Sequence, residues 1–139
     1  MSNKKVLFAG NPNVGKSTIF NLLTGLKQHT GNWAGKTVEQ SKGYYKYKNE
    51  TYELYDLPGT YSLVTTSKEE EIATNFIKDK TVDVTVVICN ALLLERGLNL
   101  VFQILELTPN VILVINLIDE ELVLDNVSEL IKLLKIRKK

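Results

Sequence analysis

Arginine is scarce in this chain: of its 17 basic residues, only Arg96 and Arg137 are arginines. Cysteine and histidine each occur once, as Cys89 and His29, so no internal disulfide can form and no spacing of ligands for zinc or iron is present. The lone cysteine sits inside an apolar run, which reads as a buried core residue and suits a reducing compartment. An excess of one charge is also lacking. Seventeen Lys and Arg against 16 Asp and Glu give a net charge of +1, which excludes a broad basic field for holding nucleic acid. The basic tail at Lys135, Arg137, Lys138 and Lys139 reads as a solvated end. Nor is there an apolar run of roughly 20 residues to span a membrane. The longest candidate, Leu98 to Ile118, is broken by Asn99, Glu106, Pro109 and Asn110. No secretory apolar core precedes the first expected strand, so the chain by itself is expected to be soluble and cytoplasmic.

What remains is ordinary globular composition. With 139 residues, 44% of them hydrophobic and 24% charged, residues 1–139 fit one compact domain. Its organising stretch is Gly10-Asn11-Pro12-Asn13-Val14-Gly15-Lys16-Ser17, which leaves the apolar run Val6 to Ala9 and enters the helical pattern Thr18 to Leu23. The spacing G-x-x-x-x-G-K-S suits phosphate binding. Its glycines allow successive N–H groups to point inward at an anion, and the helix behind adds its positive end. Gly10, Asn11, Asn13, Val14, Gly15, Lys16, Ser17 and Thr18 are therefore the expected nucleotide contacts, with Lys16 on the β- and γ-phosphates and the Ser17 hydroxyl on Mg2+.

Along the chain, strand one is expected at Lys5 to Ala9 and helix one at Lys16 to Leu23, closed by Gly25. Leu26 to Lys36 has no periodicity and reads as a long functional loop. Val38 to Lys48 and Thr51 to Tyr55 read as a tyrosine-rich hairpin turning at Lys48-Asn49-Glu50. Its tyrosines fit strand-face packing better than a base-stacking platform. Ser67 and Glu70 form a capping box for a helix through Lys78. Asp83 to Cys89 carries a continuous β-branched run, Val84 to Ile88, and Asn110 to Asn116 repeats the pattern with Val111 to Ile115, the signature of strands covered on both faces. Glu95 to Leu107 and Leu122 to Ile136 have helical spacing. Strands alternating with helices predict an α/β doubly wound, mostly parallel sheet with its ligand site at the carboxyl ends of the strands.

Polar punctuation falls at those ends. Asp56-Leu57-Pro58-Gly59 supplies a carboxylate for the Mg2+ shell and, three residues on, a glycine whose N–H can approach a γ-phosphate; Pro58 completes the contact. Asn116-Leu117-Ile118-Asp119 follows the last expected strand. A carboxylate at Asp119 can accept two hydrogen bonds from the N1–H and exocyclic amine of guanine, which selects GTP over ATP. The blander alternative is a helix cap at Asp119 with Asn116 satisfying a loop.

These residues resemble the N-terminal G domain of the ferrous-iron transporter FeoB family. The resemblance runs from Lys4 to about Asp119, through the phosphate loop with Asn-Pro-Asn, then Gly31-Asn32-Trp33-Ala34-Gly35-Lys36-Thr37-Val38-Glu39, then Asp56-Leu57-Pro58-Gly59-Thr60-Tyr61-Ser62-Leu63. The middle segment is close to diagnostic. Leu94-Glu95-Arg96 with Leu98 and Leu100 is similar to the family's L-E-R-N-L, with Gly97 in place of Asn. The family's Met in the guanine motif makes Leu117 a mild departure.

The resemblance implies a P-loop NTPase of the Ras-like G-domain type that ends before its last strand, last helix and base-closing loop. It implies GTP and GDP as ligands, with Gly35, Lys36 and Thr37 on the nucleotide and the Thr37 hydroxyl joining Ser17 and Asp56 on Mg2+. It further implies a K+ ion near the phosphates, held by Asn13 and the carbonyls of Gly31 and Trp33. The residues support such a cation separately. Neither arginine lies in an expected switch, and Thr60 stands where Ras-like proteins carry a water-orienting Gln. Lys16, Thr37, Gly59 and Asn13 are the residues expected to carry slow, K+-stimulated hydrolysis.

By the same resemblance, the partner is a membrane transporter moiety outside this chain, which would place the domain at the cytoplasmic face of the membrane. Nucleic acid is not an expected partner, and a homo-oligomer stays open. The competing reading is a guanine-nucleotide-binding regulatory module that does not hydrolyse. Asn90 and Leu93 stand where the family has Asp and Asn, which bears on the geometry beside the switch.

Overall fold

The computed structural model describes residues 3–25, 28–32, 39–63 and 67–116. Six strands form one sheet in the order β2-β3-β4-β1-β5-β6. They are β1 (Lys4–Gly10), β2 (Gln28–Asn32), β3 (Glu39–Tyr47), β4 (Glu50–Asp56), β5 (Val84–Asn90) and β6 (Val111–Asn116), and the helices are α1 (Lys16–Thr24), α2 (Lys68–Ile77) and α3 (Leu94–Leu107). β4, β1, β5 and β6 run parallel, whereas β2 and β3 join antiparallel. The expected α/β architecture with a mostly parallel sheet is the one observed.

β1 is buried on both faces, and its alternation divides the core in two. Val6 and Phe8 pack with Leu54 of β4, Ile88 of β5 and Phe20 of α1, where the Phe8 and Phe20 rings meet edge to face at 5.8 Å. Leu7 and Ala9 point the other way, into Val87 and Cys89 of β5, Ile72 and Ile77 of α2, and Leu98, Val101 and Ile104 of α3. Period-two alternation in a central parallel strand thus places one helix on one face and two on the other. Cys89 lies in this core as expected, and burial pushes its thiol up to about 11, so it is protonated at neutral pH. Gly97 permits the close approach of α3, since a Cβ there would stand 2.7 Å from Cys89 Sγ.

Local signals match the element ends. Ser67 caps α2, its hydroxyl accepting from the Glu70 N–H at 3.1 Å and donating to the Glu70 carboxylate at 2.9 Å. Gly25 closes α1 at φ 65°. The hairpin turns on Lys48 and Asn49, both at positive φ, the twist that suits a two-residue connection. Asn90 Oδ1 accepts from the Leu92 N–H at 2.8 Å and caps the 3-10 turn Ala91–Leu93, so an amide oxygen does the capping that a carboxylate could do there.

Two expectations need correction. The supposed loop from Leu26 to Lys36 contains a strand, β2, paired antiparallel with β3 from Gln28↔Gly43 to Asn32↔Glu39. It forms by backbone pairing at the sheet edge, where apolar alternation is not required. β6 is not covered on both faces as its apolar run suggested. It is half-exposed, with Ile112 at 52%, because β5 is its one strand neighbour among the described residues. The expected helix from Leu122 to Ile136, and any judgement on a missing final strand and helix, lie outside the described residues.

Candidate nucleotide site

The site forms where β1 and β4, adjacent and parallel, both end. After Gly10 the backbone takes left-handed conformations at Asn13 (φ 64°) and Gly15 (φ 86°), and α1 begins at Lys16. Such turns aim successive N–H groups into one concavity at the helix start. Gly10 is required by crowding, because a Cβ there would lie 2.7 Å from the Ile88 carbonyl oxygen of β5. The concavity measures about 430 Å3 and is lined by Asn11, Pro12, Asn13, Gly15, Lys16, Ser17, Thr18 and Gly59.

From β4, Asp56 reaches this loop with both carboxylate oxygens. One pairs with Lys16 Nζ, and the other accepts from Ser17 Oγ at 3.0 Å. The Lys16 and Asp56 side chains are only 9% and 13% exposed, so their charges balance one another in a largely dry setting. Lys16 and Ser17 thus meet a carboxylate that lies 40 and 39 residues further along the chain. Beyond Asp56, the Leu57 N–H bonds the Phe8 carbonyl at 2.9 Å and the Thr60 N–H bonds the Gly10 carbonyl at 3.1 Å. These two bonds lay the Asp-Leu-Pro-Gly segment against the phosphate loop, with Gly59 so close to Pro12 that a Cβ would stand 3.2 Å from its Cα.

Asn116, at the end of β6, also arrives here. Its Nδ2 donates to the Val14 carbonyl at 3.0 Å, and the same amide occupies the space that a Cβ on Gly15 would need. Asn116 thus braces the phosphate loop from behind. Gly31 lies in β2, opposite Gln40. Trp33, Gly35, Lys36, Thr37 and Asp119 lie outside the described residues. Asn11 Oδ1 is buried with no hydrogen-bond partner among the described residues.

Sequence reasoning missed two contacts. Gln103 Oε1, on α3, accepts from the Leu63 N–H at 2.6 Å, and the Arg96 guanidinium lies 5.2 Å from the Tyr61 ring centroid. A polar residue on an amphipathic helix gave no signal of its target. Among the described residues no cluster of three His, Cys, Asp or Glu could hold a metal ion, and no helix is long and apolar enough to cross a membrane.

A phosphate loop behind the central parallel strand, with an Asp-x-x-Gly segment from its neighbour laid across it, defines a P-loop G domain. The sequence model of the family described as "Ferrous iron transport protein B" matches residues 4–136, and the chain belongs to that family. The Fe(2+) transporter FeoB of Methanocaldococcus jannaschii is 46% identical over 107 residues, which is 77% of this chain and 16% of that protein. The chain therefore spans about one-sixth of that relative's length. The crystal structure of the G domain of the T. maritima FeoB iron transporter superposes with a TM-score of 0.82 at 43% identity, over 85% of this chain and 74% of that one. The cytosolic domain of the same transporter in its GMPPNP form gives 0.76 at 44% identity, over 79% of this chain and 44% of that one.

Proposed function

We propose that this chain is a single G-domain unit that binds GTP and GDP with Mg2+ and hydrolyses GTP slowly, as the switch of a ferrous-iron transporter at the cytoplasmic face of a membrane. The observation that carries this reading is the convergence of Lys16, Ser17 and Asp56 at the mouth of a left-handed, glycine-bearing loop. The relative solved in a GMPPNP form supports the nucleotide assignment.

The donor set fits a hard cation beside phosphate. Ser17 Oγ and the Asp56 carboxylate already lie within 3.0 Å of each other, both are oxygen ligands, and Thr37 completes the set by motif. Mg2+ held there would neutralise charge on the phosphate oxygens. Lys16, released from Asp56, would turn to the β- and γ-phosphates, and the N–H groups from Asn13 to Thr18 would hold the remaining oxygens. Gly59 would present its N–H to the γ-phosphate, while Asn116 and Asp119 would order and read the base side of the site. By motif, Gly35, Lys36 and Thr37 would add further contacts to the nucleotide.

Slow turnover follows from what surrounds Thr60. Its N–H is committed to the Gly10 carbonyl and the residue is 6% exposed, so it is badly placed to orient an attacking water. Asn13 is exposed at the loop rim, where its amide oxygen could join the carbonyls of Gly31 and Trp33 on K+. Phosphate release should therefore rise about tenfold or more when K+ replaces Na+, in line with the worth of one well-placed transition-state charge contact, and Asn13→Ala should abolish that response. Equal rates in the two salts, or an unchanged K+ response in Asn13→Ala, would overturn the cation role.

A further inference from the structure

We propose that Gln103 of α3 is a positioning residue that fixes the outer end of the Gly59-bearing segment, so that α3 governs how that segment meets the γ-phosphate. The inference deepens the GTPase reading and rests on it. The segment is anchored at its start by backbone bonds, Leu57 N–H to Phe8 O and Thr60 N–H to Gly10 O. Past Thr60 no backbone bond to β1 continues this anchoring among the described residues. Its place is taken by side chains of the two helices on that face. Ser62 Oγ donates to Glu70 Oε2 of α2 at 3.2 Å, and the Leu63 N–H donates to Gln103 Oε1 of α3 at 2.6 Å.

The Gln103 bond differs from the first in kind, because it satisfies a half-buried backbone N–H. An apolar residue at 103 would leave that donor without its partner, the costly outcome for a partly buried peptide group. Leu63 itself packs against the core cluster that holds Leu98, Val101 and Ile104 of α3, so the bond sits at a packed junction rather than at a fraying edge. Arg96 lies seven residues before Gln103, two helical turns along the same face of α3, and its guanidinium covers the Tyr61 ring at 5.2 Å. One helix face therefore holds the segment at Tyr61 and at Leu63. Among the described residues Gln103 is hydrogen-bonded to Leu63 of this segment, so its influence on chemistry passes through the segment.

Gln103→Leu keeps the volume and removes the acceptor; Gln103→Glu keeps an acceptor oxygen. In Gln103→Leu, kcat for GTP hydrolysis in K+ should fall about three- to tenfold while the Kd for GDP, which has no γ-phosphate, stays within about twofold. Hydrogen exchange at the Leu63 amide should speed up in the same variant. Gln103→Glu should restore both readouts. The proposal is overturned if Gln103→Leu matches the native protein in kcat and in Leu63 exchange, if the Glu variant behaves like the Leu variant, or if GDP affinity falls in parallel with kcat. Should the native protein release no phosphate, the hydrolysis reading fails by itself. Leu63 exchange then decides the clamp: faster in the Leu variant and native in the Glu variant supports it, and unchanged in both overturns it.

Discussion

Lys16→Met is expected to weaken binding of both GTP and GDP by about 100-fold or more, as measured by titration with a fluorescent GDP analogue. The side chain would donate charge-assisted hydrogen bonds to phosphate, each contributing about 1.5–3 kcal/mol, or roughly one to two decades in affinity. Its loss has a second consequence, which the geometry makes specific. Asp56 pairs with Lys16 in a setting where both side chains are nearly covered, so the substitution leaves a nearly buried carboxylate without its partner charge. Breaking a buried pair on one side typically costs about 3 kcal/mol of stability, so melting should fall as well. The double variant Lys16→Met/Asp56→Asn separates the two effects. It should recover most of the lost melting temperature and none of the lost affinity. Recovery of nucleotide binding in the double variant would show that Lys16 serves Asp56 rather than the phosphates.

Gly15→Ala should be the most damaging single-methyl change in the site. Gly15 sits at φ 86°, a left-handed conformation that costs an L-residue about 1–2 kcal/mol. The added Cβ would also enter the space of the Asn116 amide and break its 3.0 Å bond to the Val14 carbonyl, a further loss of about 1 kcal/mol. Together these should lower the melting temperature by roughly 10 °C for a domain of this size. Nucleotide affinity should drop with it, because the N–H array from Asn13 onward is built on that turn. Asn116→Ala removes one of the same two terms, so the pair should be less than additive in calorimetric melts. Full additivity, or a Gly15→Ala variant that melts within a degree or two of native, would contradict the bracing role of Asn116.

The parts of this site legible in the sequence were those in which chemistry forces a local spelling. A phosphate loop needs its glycines and lysine at fixed offsets, and a carboxylate for the cation shell must end a neighbouring strand, so Gly10 to Ser17 and Asp56 to Gly59 were readable and fall together in space. Central strands were readable for a similar reason, since burial on both faces favours the apolar run Val6 to Ala9 of β1 and the β-branched run Val84 to Ile88 of β5. β2 was not, because an edge strand held by backbone pairing leaves no demand on residues such as Gln28-His29-Thr30. β6 misled in the opposite direction, its apolar run Val111 to Ile115 being half-exposed at the end of the described sheet.

Side-chain partners across long separations were the least readable. Asn116 was spelled as part of a guanine motif, yet its visible contact is with Val14, 102 residues away. Gln103 and Arg96 were ordinary polar residues on an amphipathic helix until the fold placed them against Leu63 and Tyr61. The substitution of Asn90 for the family's Asp had raised a question about the strand end after β5. The amide oxygen caps the following turn at 2.8 Å, so that end is locally well formed.

This loop and its partners are proposed to hold a guanine nucleotide. Competition against a fluorescent GDP analogue in Mg2+ tests it most directly. GTP and GDP should displace the probe at least about 100-fold more effectively than ATP, the discrimination expected when a carboxylate must pair with donors that adenine lacks. Equal displacement by ATP and GTP, or no binding of the probe at all, would contradict it.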